Sequence, residues 1–212
     1  MLSYKIFTFN PVAENTYVLY NEAKEAIIID PGCYFEEERK QLQEFLEKNS
    51  LKPVQLVNTH CHLDHVFGNK WIHDTYKLEL FIHPNEERVL QFAPQSGEMW
   101  GMPVDNYTGP LHFLQQNQVI LLGQNEIKIL LAPGHSPGSI CLYCEKEGFV
   151  IGGDVLFRDS IGRTDLPGGN HNQLLQSIRE QLFVLPDDVI VLPGHGEPTT
   201  IGYEKKNNPF LA

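Results

Sequence analysis

The chain opens on three short runs rich in β-branched and aromatic residues, over 2–8, 15–20 and 25–30, separated by Asn10-Pro11 and a polar stretch over 21–24. Runs of this kind between turn-forming residues predict a meander of strands. Asp30-Pro31-Gly32 stops the third run. From 35 to 48, Leu42, Phe45 and Leu46 recur at helical spacing among Glu, Lys and Gln, which predicts an exposed amphipathic helix, and Leu51-Lys52-Pro53 follows as a break. A strand over 54–58, a helix over 66–76 and a strand over 78–82 complete a first half. Between Gln91 and His112, prolines and glycines interrupt Phe92, Met99, Trp100, Met102 and Tyr107, so 92–111 is expected to be an irregular loop with a covering role. The second half repeats the rhythm, with strands over 118–122, 126–132, 140–145 and 149–151, a helix over 171–183 and a strand over 189–192. Each half has a sheet with one face left for another layer to bury. The expectation is an α/β fold: a four-layer αβ/βα sandwich of two mixed sheets packed face to face with helices outside, as a single domain over 1–212.

Composition narrows the function. Of 212 residues 42% are hydrophobic and 20% charged, without a low-complexity tract, which is a globular composition. Lys+Arg 16 against Asp+Glu 27 leaves a net charge of −11, and no basic run interrupts it. Nucleic acid and anionic membrane are therefore not expected partners; a small-molecule substrate is. No apolar stretch reaches the ~20 residues of a membrane span, and the N-terminus lacks a signal-peptide pattern, so a cytoplasmic location is expected. Four cysteines in a chain of this length make no disulfide framework. Nine histidines need an explanation.

Thr59-His60-Cys61-His62-Leu63-Asp64-His65 supplies it, directly after the apolar run VQLVN. In extended chain, residues two apart point the same way, so His60 and His62 can aim at one metal ion. Asp64 and His65 fall at the turn into the next helix, where Asp64 alone would also serve as an N-cap. Further metal-competent residues sit beyond other strands and beside glycine: His135 in APGHSPG, Asp154 in GGD and His195 in PGHG. Each by itself could be a turn residue. Together with the first cluster they make seven candidate ligands. Cys141-x-x-Cys144 falls in a strand, where positions three apart face opposite ways, so it reads as core; Cys61 is expected beside the ligands but not among them. His73, His83, His112 and His171 read as surface or cap residues, with His171 opening its helix.

The pattern T-H-x-H-x-D-H followed by G-H-x-P-G, G-D and G-H-G resembles the metallo-β-lactamase superfamily along essentially the whole chain. Gly153-Asp154-Val155-Leu156-Phe157, Gly162-Arg163-Thr164-Asp165 and Pro193-Gly194-His195-Gly196 look like its glyoxalase II group, the hydroxyacylglutathione hydrolases, in their short bacterial form. The resemblance implies two divalent metal ions, zinc foremost with iron or manganese also accepted. His60, His62 and His135 would hold one, Asp64, His65 and His195 the other, and Asp154 would bridge them, with Asp30 supporting from behind. It further implies a thioester hydrolase in which a metal-bridging hydroxide attacks the carbonyl and Asp64 aims it. Arg163 matches a basic position that meets glutathione, with a surface ion pair to Asp159 or Asp165 as its other reading. Trp100, on the covering loop, is expected to form an apolar wall for the acyl group. Two alternatives stay open: a mononuclear-iron persulfide dioxygenase of the same superfamily, using His60, His135 and Asp154, and a non-enzymatic metal- or ligand-binding member.

Overall fold

The computed structural model describes residues 1–211. The chain divides into two compact units, one of Met1–Phe113 with Leu121–Asn125, the other of Leu114–Ile120 with the residues from Glu126 on.

The first unit runs β1 (Leu2–Phe9), β2 (Glu14–Asn21), β3 (Glu25–Ile29), α1 (Glu36–Lys48), β4 (Lys52–Val57), α2 (Leu63–Val66), α3 (Asn69–Tyr76), β5 (Leu80–Ile82), α4 (Glu87–Trp100) and β6 (Leu111–Phe113). Its sheet keeps chain order, β1-β2-β3-β4-β5-β6. The first three strands pair antiparallel, as short connections require, and β3 to β6 pair parallel, because a helical crossover returns the chain to the same end each time. Leu42 and Leu46 of α1, Ile72 of α3 and Leu90 and Ala93 of α4 share one core with Val18, Ile28, Leu56 and Leu80. The parallel run has a consequence for chemistry: Asp30 after β3, the segment 58–62 after β4 and His83–Glu86 after β5 all emerge at the same edge, the carboxyl ends of neighbouring strands.

The second sheet is ordered β14-β13-β10-β9-β8-β7 and belongs to the second unit except for Leu121–Asn125, the end of β7 and the start of β8, which group with the first. Its strands are β7 (Val119–Leu122), β8 (Asn125–Leu131), β9 (Ile140–Cys144), β10 (Phe149–Gly153), β13 (Ile190–Pro193) and β14 (Thr199–Thr200). A small hairpin of β11 (Leu156–Phe157) and β12 (Ser160–Ile161) follows β10, and α5 (His171–Ser177) and α6 (Ile201–Asn207) complete the unit. Because β8 and β10 each pair antiparallel with β9, and β10 pairs parallel with β13, the carboxyl ends of β8, β10 and β13 share an edge. His135, Asp154 and His195 follow those three ends.

Where the sequence leads one to expect a loop over 92–111, the structure has α4 through Trp100. Pro94 lies inside that helix; it lacks the N–H that would bond the carbonyl of Leu90, a defect that ordinarily breaks a helix. Here the side chain of Asn106 donates to the Leu90 carbonyl at 2.7 Å, so the helix continues. Gly101, at φ +68°, then ends it. The helix expected over 66–76 is likewise two helices, α2 and α3, broken at Gly68. A Cβ there would lie 2.5 Å from the Cys33 sulfur and 2.7 Å from the Pro31 carbonyl. The helix beginning at His171 passes into a π turn over Ile178–Leu182. Cys141 and Cys144 are buried in β9 as core, and no described cysteine forms a disulfide. Among the described residues no helix is long and apolar enough to cross a membrane.

Candidate metal centre

In the first unit the chain leaves β4 at Val57 and reaches α2 through five residues that make no sheet pairing. The Asn58 N–H still bonds the Phe81 carbonyl of β5 at 3.0 Å; beyond it, side chains orient the segment. Asp30, left-handed at φ +49° and buried, is the hub. Its Oδ1 accepts from the Thr59 backbone N–H at 2.7 Å and the Asn58 amide at 3.2 Å. Its Oδ2 accepts from the Thr59 hydroxyl at 2.5 Å and from His65 Nδ1 at 3.1 Å. The Thr59 proton is thereby committed to Asp30, so the 3.1 Å contact between Thr59 Oγ1 and His60 Nδ1 must be donated by the histidine. Both imidazoles therefore carry their proton on Nδ1 and keep the lone pair on Nε2, the arrangement a metal-binding histidine takes from an outer carboxylate. Ligand atoms of Asp30, His60 and His65 lie within 4.8 Å of one another, but with both oxygens committed to these four bonds Asp30 is a buttress. The His60 ring stands 4.8 Å from that of His62 and 4.1 Å from that of His65, and His65 Nε2 lies 3.6 Å from the Asp64 carboxylate.

In the second unit the loop after β8 turns at Gly134, φ +135°, where a Cβ would fall 2.3 Å from the Leu174 nitrogen. His135 follows, and its Nδ1 lies 2.7 Å from the Arg163 carbonyl, an acceptor only, so this histidine too keeps its lone pair on Nε2. That nitrogen is 3.5 Å from Asp154 Oδ2, and His195 Nε2 is 3.6 Å from the same oxygen. One carboxylate thus faces two imidazoles, as a carboxylate shared by two ions would. The loops carrying Asp154 and His195 are tied together by a bond from the Gly194 N–H to the Gly153 carbonyl at 2.8 Å.

These donors fit a divalent metal. They are imidazole nitrogens, three of them with the proton fixed on Nδ1, and carboxylate oxygens, with no thiolate: Cys61 is buried, and burial pushes its thiol well above its usual range. Such N/O sets suit zinc, iron or manganese. The family model of the metallo-β-lactamase superfamily matches residues 9–195. The chain belongs to this superfamily. The match makes it a member of a metallo-hydrolase superfamily and gives it the metallo-β-lactamase fold expected from the motifs. The hydroxyacylglutathione hydrolase GloC of Haemophilus influenzae is 34% identical over 99% of this chain and 98% of its own. Among solved structures, the BLEG-1 B3 metallo-β-lactamase superposes with a TM-score of 0.91 at 38% identity, over 99% of this chain and all of that one. TTHA1623 in a di-iron-bound form gives 0.88 at 33%, over 98% of this chain and all of that one.

Within this superfamily frame, two residues expected to meet substrate stand as follows. The Arg163 guanidinium pairs with both oxygens of Asp165, at 2.7 Å each, on an exposed loop; this bond holds the Asp165 carboxyl down at about 2. The main chain of Arg163, meanwhile, orients His135. Trp100 sits at the end of α4, 60% exposed. Two further acids, Glu14 and Glu86, are buried. Glu14 lies 3.8 Å from His65 Nδ1, its carboxyl raised by burial, and Glu86 accepts the backbone N–H of Cys61 at 2.8 Å. A lone glutamate in a strand or before a helix carries no local signal of such a role.

Proposed function

We propose that this protein hydrolyses a thioester, S-lactoylglutathione or a related acylthiol, at a dinuclear zinc centre held by His60, His62, Asp64, His65, His135, Asp154 and His195. The observation that carries this reading is the match to a hydroxyacylglutathione hydrolase over nearly the full length of both chains. Two bound divalent ions would supply an activated water and a Lewis acid for the carbonyl. The protein's part is to hold three imidazoles in the Nδ1–H tautomer, through Asp30, Thr59 and the Arg163 carbonyl, and to place Asp64 as the acceptor of the attacking water's proton. A thiolate leaves without a proton, so a thioester asks nothing of these residues beyond activating the water and polarising the carbonyl.

The deciding experiment joins elemental analysis of the purified protein with a substrate panel of glutathione thioesters, other acylthiols and a cephalosporin, and with an oxygen electrode. Two ions per chain and hydrolysis confined to thioesters are expected. One iron with oxygen consumption on a persulfide would instead establish the dioxygenase, and preferential turnover of the cephalosporin a lactamase.

Substrate selection is assigned to Arg163, as a clamp on a glutathione carboxylate that must displace Asp165. Arg163→Ala should raise KM for the glutathione thioester roughly tenfold at nearly constant kcat, the scale of one charge-assisted bond. Asp165→Asn should lower KM by freeing the guanidinium. If neither change moves KM, the pair is a surface feature only.

A further inference from the structure

The segment 58–62 is flanked at the sheet edge by carboxylates from both neighbouring strands. Asp30, after β3, takes the Thr59 N–H; Glu86, after β5, takes the Cys61 N–H. Only the first is marked in the sequence. We propose that Glu86 is a positioning residue for the metal centre: its carboxylate fixes the peptide joining His60 to Cys61, one of the two that link His60 to His62, and so sets the angle between their two imidazoles. The inference rests on the metal reading above.

Several observations carry it. The Cys61 N–H is buried and beyond the end of β4, so no strand partner satisfies it, and an unsatisfied buried amide costs about 1–3 kcal/mol. A carboxylate acceptor is about twice as strong as a neutral one. Glu86 is itself fully buried, a place an acid occupies only when its bonds are worth the desolvation. It stands on a rigid mount: the turn Pro84–Glu86 is capped by His83, whose Nδ1 accepts from the Asn85 N–H at 3.2 Å and whose carbonyl accepts from the Glu86 N–H at 2.9 Å. This also gives buried His83 its place as a cap. Rotation of the Cys61 peptide would swing the flanking residues in opposite senses, and the two rings, now at 89° to one another, would lose their common aim.

The test compares Glu86→Ala with Glu86→Gln, whose amide oxygen can still accept the Cys61 N–H. Apo protein is titrated with Zn²⁺ against a chromophoric chelator, and separately with Co²⁺ while the visible ligand-field bands are recorded. Glu86→Ala should bind Zn²⁺ about tenfold or more weakly, as loss of an outer partner typically does, and its Co²⁺ bands should move. Glu86→Gln should stay within about threefold of the unaltered protein, with unmoved bands. Unchanged Zn²⁺ affinity in Glu86→Ala, or equal losses in both variants, would overturn the assignment. Failure of the unaltered protein to bind Zn²⁺ or Co²⁺ would instead overturn the metal reading beneath it.

Discussion

Asp154→Ala is expected to purify without either metal ion and to lose the proposed thioesterase activity by roughly three powers of ten or more. A metal ion contributes several kcal/mol at the transition state, and each ~1.4 kcal/mol is a factor of ten in rate. Asp154 should be the most sensitive of the candidate ligands because its Oδ2 faces two imidazoles at once, those of His135 and His195. Without it, the second unit keeps two histidines with no anion between them. Elemental analysis after dialysis against a weak chelator gives the answer. An Asp154→Ala protein that still carries two ions per chain would remove Asp154 as the shared ligand.

Gly162→Ala should be nearly as damaging, although Gly162 offers no side chain to the site. A Cβ at this position would fall 1.9 Å from the Asp154 carbonyl oxygen and 3.1 Å from the His135 Cβ. The first of these is backbone and cannot turn away, so the strand end bearing Asp154 has to shift. Overpacking of this kind costs about 1–3 kcal/mol, which in a chain of this size lowers Tm by about 2–4 °C per kcal/mol. Metal affinity should fall as well, since the displaced atoms belong to two candidate ligands. Gly152→Ala is the control: its added Cβ would meet nothing nearer than the Val191 side chain at 3.6 Å, and both Tm and metal content should hold. If Gly162→Ala melts with the unaltered protein and takes up metal as well, the loop is more compliant than this packing allows.

The order of strands and helices was legible because long, strongly patterned runs such as β2, β4 and α1 announce themselves, and because histidine or aspartate beside glycine after an apolar run marks a strand end. The features with no mark in the sequence depend on partners distant along the chain. The continuity of α4 past Pro94 rests on Asn106, which a local reading of a proline-containing segment cannot supply. Strands β6, β11, β12 and β14 are two or three residues long, too short for a period-two pattern to appear. Glu14 and Glu86 look like ordinary acids in the sequence; their burial arises only when the sheet edge forms around them. The Arg163 side chain pairs with Asp165, one of the two partners its sequence neighbours offer, whereas the contact of its carbonyl with His135 has no mark in the sequence, since a carbonyl is common to every residue.

Asp30 also bears on how the centre is filled. Its Oδ2 serves His65 directly and His60 through Thr59, and under the proposed assignment those two histidines belong to different ions. An ion held by either one would strengthen that ring's Nδ1–H bond, from His65 to Asp30 Oδ2 and from His60 to Thr59 Oγ1, which itself donates to Asp30, and so would stiffen the carboxylate that must also steady the other ring. The ordering cost met by the first arrival is then no longer met in full by the second. Filling should therefore be cooperative: a titration curve steeper than that of independent sites, and chains holding a single ion scarce at half saturation.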